Sequence, residues 1–97
     1  MAKLLISPAA MADLDDIWDY IAEDSPEAAT RFLSLLLEQC QLLADSPYLG
    51  RERADIGREG VRSYPFKNYI LLYQVEKNVV EVLHVFHGKR DYPRLFS

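Results

Sequence analysis

Apolar residues recur at Ala10, Leu14, Ile17 and Ile21, while Asp13, Asp16 and Glu23 fall outside that stripe. The spacing predicts a helix from Ala9 to about Glu23. Ser7-Pro8 opens it: a serine hydroxyl can accept from an N–H that the first turn leaves unpaired, and proline has no N–H to leave unpaired. Trp18 flanks the stripe and is expected to pack beside it. Ser25-Pro26 repeats the punctuation, with Glu27 placed favourably for the helix dipole. A second helix is therefore predicted from Pro26 to about Asp45, where Ser46-Pro47 ends it. Its apolar residues cover an arc of roughly 220° at 100° per residue, more than one sheet needs, so it must touch two layers. Within that arc Leu33, Leu37, Cys40 and Ala44 form a side stripe, to be covered either by the first helix or by a partner segment.

"SPYLGRERADIGREG" (46–60) reads as a loop, and after it the period changes to two. "VRSYPF" (61–66) is a broken strand, "YILLYQV" (69–75) and "VVEVLHVFH" (79–87) are firm ones, and "KLLI" (3–6) is a short buried one. Glu76-Lys77-Asn78 makes a tight hairpin connection, with Asn78 expected to supply the positive φ. The order is β-α-α-β-β-β. It predicts an α+β fold in which a helical hairpin packs on one face of a small, mostly antiparallel sheet, as a single domain over residues 1–97.

Charge changes this picture more than composition does. The chain is acidic overall, net −4, yet residues 1–45 hold nine acids and two bases while residues 46–97 hold six acids and nine bases. An anionic partner belongs with the second half. No apolar run is long enough to span a bilayer, and the amino-terminal segment is too short for a signal-peptide core. The lone cysteine, Cys40, cannot form an internal disulfide, so the cytoplasm is the expected compartment.

Candidate chemistry is sparse. There is no Gly-rich phosphate loop, no nucleophile elbow and no metal-spaced Cys/His set, so neither cofactor nor metal is expected. His84 and His87, three apart on a strand, point to opposite faces. The acids of "DLDDIWD" read as a solvated helix face. What remains is a basic-aromatic group: Arg62, Tyr64, Tyr69 and Tyr73 on the strands, then His87, Lys89, Arg90, Tyr92 and Arg94 at the carboxy-terminal end. Strand pairing is expected to gather these at one end of the sheet. Such a set suits metal-free RNA cleavage, with Arg62 and Arg90 clamping a phosphate and His87 or Tyr92 moving the proton. It suits equally a surface that only binds protein or nucleic acid.

From "SPAAMADLDDIWDYIAEDSPEAATRFLSLLLEQCQLLADSPYLGRER" to "VRSYPFKNYILLYQVEKNVVEVLHVFHGKRDYPRLF", Ser7 to Phe96, the chain resembles the ParE toxins of the RelE/ParE superfamily. The opening "SP-A--DL--I--YIA" and the final "V-HG-RD" together carry the likeness. The resemblance implies the fold already outlined and the toxin of a type II toxin–antitoxin system. It would be neutralised by a ParD-like antitoxin of ribbon-helix-helix type, which alone would contact operator DNA. Superfamily members either cut messenger RNA on the ribosome or poison DNA gyrase. The ribonucleases carry an arginine on the central strand in a "YR--YQV" context; here "YILLYQV" puts Ile70 at that position. Loss of such a phosphate clamp removes on the order of 3 kcal/mol of transition-state stabilisation. Net acidity also opposes a ribosomal RNA target. The resemblance thus favours a non-catalytic gyrase inhibitor with Lys89, Arg90, Tyr92 and Arg94 facing the target. The alternatives are a ribosome-dependent ribonuclease using Arg62, His87, Arg90 and Tyr92, or a degenerate homologue that only binds antitoxin. An acidic-to-amphipathic antitoxin tail is expected along the helical hairpin and the sheet edge. Its apolar anchors would be Trp18, Leu33 and Leu37, and its charge partners Arg51, Arg53 and Arg58.

Overall fold

A computed structural model describes residues 2–88. The elements run β1 (Lys3–Ile6), α1 (Pro8–Ala22), α2 (Pro26–Asp45), β2 (Arg51–Glu52), β3 (Val61–Phe66), β4 (Tyr69–Glu76) and β5 (Val79–His87), with a short 3-10 turn at Ala54–Ile56. The strands form one mixed sheet in the order β1-β5-β4-β3-β2, in which β1 runs parallel to β5 and the other pairs are antiparallel. The α+β arrangement is the expected one, with β2 added inside the stretch read as a loop.

Both helices start as their capping residues dictate. Ser7 Oγ accepts from the Ala10 N–H at 3.0 Å and donates to the Leu83 carbonyl at 2.9 Å, so one hydroxyl caps α1 and ties it to β5. Ser25 Oγ accepts from the Ala28 N–H at 3.1 Å. The buried face of α1 is Ala10, Leu14 and Ile17, with Ile21 packed alongside; α2 contributes Leu36, Cys40 and Leu43. These meet Leu71, Tyr73, Val80, Val82 and Val85 from the helix-facing side of the sheet. Full burial of a leucine such as Leu36 is worth about 1.5–3 kcal/mol, so the hairpin is held mainly by this interface. The side stripe of α2 divides: Cys40 and Ala44 are buried, Leu33 is half-buried against the core, and Leu37 is exposed.

The opposite face of the sheet carries a second, smaller cluster of Val61, Leu72, Leu83 and Phe86, with Ile56 and Ile70 at its margin. Two faces require strict alternation, and β5 keeps it only by a bulge. Leu72 pairs with His84 and Tyr73 with Val82, which leaves Leu83 without a partner on β4. Val80 and Val82 therefore face the helices on even numbers, while Val85 does so on an odd one. Both two-residue hairpin turns are Lys-Asn, and the positive φ of 54° falls on Lys67 and Lys77, so Lys77 rather than Asn78 takes the left-handed conformation. Pro65 sits in β3 beyond the two residues that β2 covers, where a missing N–H breaks no ladder on the outer edge.

Cys40 is fully buried, and desolvation pushes its thiol from 9.0 up to about 11, against a smaller opposing effect of a backbone hydrogen bond. The neutral thiol is the form the fold prefers. Its contribution is complete below pH 9 and is lost as pH rises from 9.0 towards about 11, where the unfolded chain ionises first. The thermal midpoint is expected to hold level from pH 7 to 8.5 and to decline above 9, and native protein should resist iodoacetamide that labels it rapidly in urea. A Cys40→Ala variant that keeps the same alkaline decline would assign that decline to other groups.

Candidate functional site

The loop between α2 and β2 is clasped from beneath. The Tyr73 hydroxyl donates to the Pro47 carbonyl and accepts from the Gly50 N–H, both at 2.8 Å. Burial raises the Tyr73 pKa above its ordinary value, with the Gly50 hydrogen bond and the nearby Arg62 charge opposing, so the hydroxyl stays protonated and able to donate. Arg62 closes the clasp from β3: its guanidinium donates to the Gly50 carbonyl at 2.7 Å, pairs with Glu52 at 3.1 Å, and lies 4.9 Å over the Tyr48 ring. This arginine is committed to backbone.

Arg62 is also remote from His87, the other described member of the expected catalytic set. It lies opposite Tyr73, whereas His87 lies opposite Tyr69, four residues away along β4 and one strand further across the sheet. Four residues of strand are roughly 13 Å. The register does not gather the described members of the basic-aromatic group at one end; it divides them between the middle of the sheet and one end. Lys89, Arg90, Tyr92 and Arg94 lie outside the described residues.

His87 lines a cavity of about 550 Å³ between α1 and the β4–β5 end, together with Asp13, Asp16, Tyr20 and Tyr69. Its ring meets Tyr69 edge-on at 5.6 Å. Two carboxylates and no Lys or Arg stand among the described lining residues, which is a setting hostile to a phosphodiester.

Asp13 does not behave as part of a solvated face. Its Oδ2 accepts from the Val85 N–H at 2.9 Å and meets His84 Nδ1 at 3.1 Å. The cause is a length mismatch: β1 has 4 residues and β5 has 9, so β1 cannot cover the far half of β5's edge. Ser7 and Asp13 satisfy backbone groups there instead. The strand lengths were readable in the sequence, but that Asp13 meets the uncovered edge follows only from the parallel pairing of β1 with β5.

On the other side of the sheet a groove of about 560 Å³ runs along β3, with Arg51, Arg53, Ser63, Ile70 and Gly88 in its walls. Ile70 brings an aliphatic side chain to it. Arg53 is turned inward, 7% exposed, and forks onto Asp55 at 3.0 and 2.6 Å while donating to Ser63 Oγ at 3.3 Å. The Arg53 hydrogen bond holds the Asp55 carboxyl below its ordinary range. An incoming phosphate would have to displace Asp55 to reach that guanidinium. Of the residues expected at an antitoxin interface, Trp18, Leu37, Arg51 and Arg58 are exposed, Leu33 is half-buried, and Arg53 is committed internally. Arg58 donates to Gln74 Oε1 at 3.1 Å.

Among the described residues no helix is long and apolar enough to cross a membrane, and no three of His, Cys, Asp and Glu converge on a metal position.

Comparisons with known proteins bear on this geometry. A family model for the ParE toxin of the type II toxin–antitoxin system parDE matches residues 4–92. The toxin ParE1 of Mycobacterium tuberculosis is 30% identical over 95 residues, covering 96% of each chain. The toxin RelE2 of Caulobacter vibrioides is 34% identical over 90 residues, covering 93% of this chain and 99% of that toxin. Among solved structures, one described as a chromosomal ParDE system from P. aeruginosa superposes with a TM-score of 0.76 at 24% identity, over 92% of this chain and 98% of that one, and supports the fold alone. The RelBE2 toxin–antitoxin complex of Mycobacterium tuberculosis superposes with a TM-score of 0.64 at 25% identity, over 89% of this chain and 96% of that one. With the two-helix hairpin on a five-stranded mixed sheet and a match running almost end to end, the chain belongs to the ParE toxin family of type II toxin–antitoxin systems.

Proposed function

We propose that this toxin acts in the cytoplasm by binding and inhibiting DNA gyrase, without chemistry of its own, and is neutralised by a ParD-like ribbon-helix-helix antitoxin. One observation carries the choice of inhibition over RNA cleavage: Ile70 brings an aliphatic side chain to the β3 groove at the position where the resembling ribonucleases carry an arginine, and of the two arginines among the described wall residues Arg53 is neutralised by Asp55, which leaves only Arg51 exposed. The acidic lining around His87 supports the same reading, because a general base beside two carboxylates does not attract a polyanion. Lys89, Arg90, Tyr92 and Arg94 are the target-facing residues of this proposal. Operator DNA is reached only through the antitoxin, and the RelBE2 toxin–antitoxin complex that this chain resembles supports an antitoxin as its partner.

Purified toxin should block supercoiling by gyrase, and induction without antitoxin should filament cells and raise a DNA-damage response. Undiminished supercoiling at saturating toxin, or codon-phased cuts in mapped transcripts, would replace inhibition with ribonuclease action. Leu37→Glu, at an exposed position, should weaken the antitoxin complex about tenfold with the circular-dichroism spectrum unchanged.

A further inference from the structure

We propose that the cavity between α1 and the far end of β5 binds a primary ammonium group carried on a short aliphatic chain. Its acceptors come from two elements. Asp16, Ile17 and Tyr20 follow Asp13 by three, four and seven residues on α1, so one helix face supplies all four. Asp13 is held in place: its Oδ2 meets the Val85 N–H and His84 Nδ1, and its Oδ1 takes no hydrogen bond from the described residues. Asp16 is exposed beside it. The third acceptor belongs to the backbone. In a strand a residue's N–H and C=O point to the same side. The bond to Asp13 shows the Val85 N–H turned to the outer edge of β5, so the Val85 carbonyl opens on that edge as well. β1 stops at Ile6, opposite Val82, and no strand covers it. Val85 lines the cavity with both aspartates.

Two carboxylates and an uncovered carbonyl select the ligand. A primary ammonium has three N–H donors and no acceptor, whereas a quaternary ammonium carries the same charge with no donor at all. A bare divalent cation fits less well, because no three of the described His, Cys, Asp and Glu residues converge on a metal position. The aliphatic chain has apolar surface to follow, with Ile17 buried and the Tyr20 ring 72% exposed on the same helix face. A volume of about 550 Å³ is in the usual range for small-molecule sites. α1 carries four acids and no base, so the field at the cavity has the sign of its lining. This binding is independent of the gyrase and antitoxin readings.

Titration of the full chain with n-butylammonium chloride, followed through its backbone amide resonances, reads the site directly, because the Val85 N–H is bonded to Asp13. Ionic strength is held constant with sodium chloride so that screening does not change during the titration. The Val85 resonance should shift and saturate. Affinity should be about tenfold higher than for tetramethylammonium, which matches the charge without N–H donors, or for 1-butanol, which matches the chain without the charge. Asp16→Asn should weaken binding about fivefold, whereas Asp19→Asn, which removes an exposed α1 acid outside the cavity lining, should change it by less than about twofold. Amide spectra of both variants check that the fold is kept. Equal affinity for tetramethylammonium, or a Val85 resonance that does not move, overturns the proposal. Equal losses in the two variants overturn it as well, by reducing the binding to diffuse attraction along α1.

Discussion

Gly50→Ala is expected to destabilise the toxin by about 3 kcal/mol, lowering the thermal midpoint by roughly 12 °C or more. A Cβ at this position would lie 2.6 Å from the Tyr73 hydroxyl oxygen and 2.8 Å from both the Ser63 carbonyl and Tyr73 Cε1. None of these can retreat freely. The hydroxyl is held by Pro47 and Gly50, and the carbonyl belongs to the β3 backbone. The added methyl would push the loop off Tyr73 and strand a buried donor and acceptor. Tyr73→Phe alone should cost about 1–3 kcal/mol, because it leaves the Gly50 N–H and the Pro47 carbonyl without their partner. Combined, the two changes should cost less than their sum, since removal of the oxygen relieves the shortest clash. The relief is partial because the contact to Ser63 persists. Strict additivity in a denaturation cycle would locate the obstacle elsewhere.

Arg62→Ala should lower stability by about 2 kcal/mol, roughly 8–16 °C in midpoint, while leaving the proposed gyrase inhibition by the folded protein intact. The pair with Glu52 contributes little of this, because Glu52 is well exposed and such pairs are screened. The larger losses are the 2.7 Å bond to the Gly50 carbonyl and the packing over Tyr48. Arginine here acts as a bracket for the α2–β2 loop, and its removal releases the segment that carries Tyr48 and Arg51. Supercoiling assays run below both melting transitions separate this role from a target-contacting one. Complete loss of activity in a variant whose midpoint is unchanged would make Arg62 a target-contacting residue.

The helices were legible because caps and periodicity agree: Ser7-Pro8 and Ser25-Pro26 place both starts to within a residue, and the stripe of Ala10, Leu14 and Ile17 is the one that becomes buried. The hairpin order of the last strands was equally plain. Three features were not. The pairing of Arg51 and Glu52 with β3 is too short to leave a period. The inward turn of Arg53 depends on Asp55 and Ser63, contacts set by tertiary placement rather than by any local pattern. The division of the basic-aromatic group follows from register, and register is altered by a bulge that alternation in "VVEVLHVFH" conceals. At the candidate site, Ile70 stands out only against the central-strand arginine that the family resemblance supplies; by itself it is an ordinary strand residue. The role of Asp13 required comparing the lengths of two strands that lie at opposite ends of the chain.

The unpaired Leu83 divides the last strand into two reading frames. Upstream, Val80 and Val82 are fixed by the hydrophobic interior beneath the helices; downstream, the phase is reset so that Val85 takes that place and His87 reaches the cavity beside Tyr69. Deleting that one residue would make Val82 and His84 neighbours opposite Tyr73 and Leu72, so the strand would run regularly with His84 to His87 on the faces they already occupy. The extra residue lets β5 be one longer than its partner requires without turning its far end over. The segment that leads into the chain's basic end would keep its orientation without Leu83 and lose only the apolar contact this side chain adds to the second cluster.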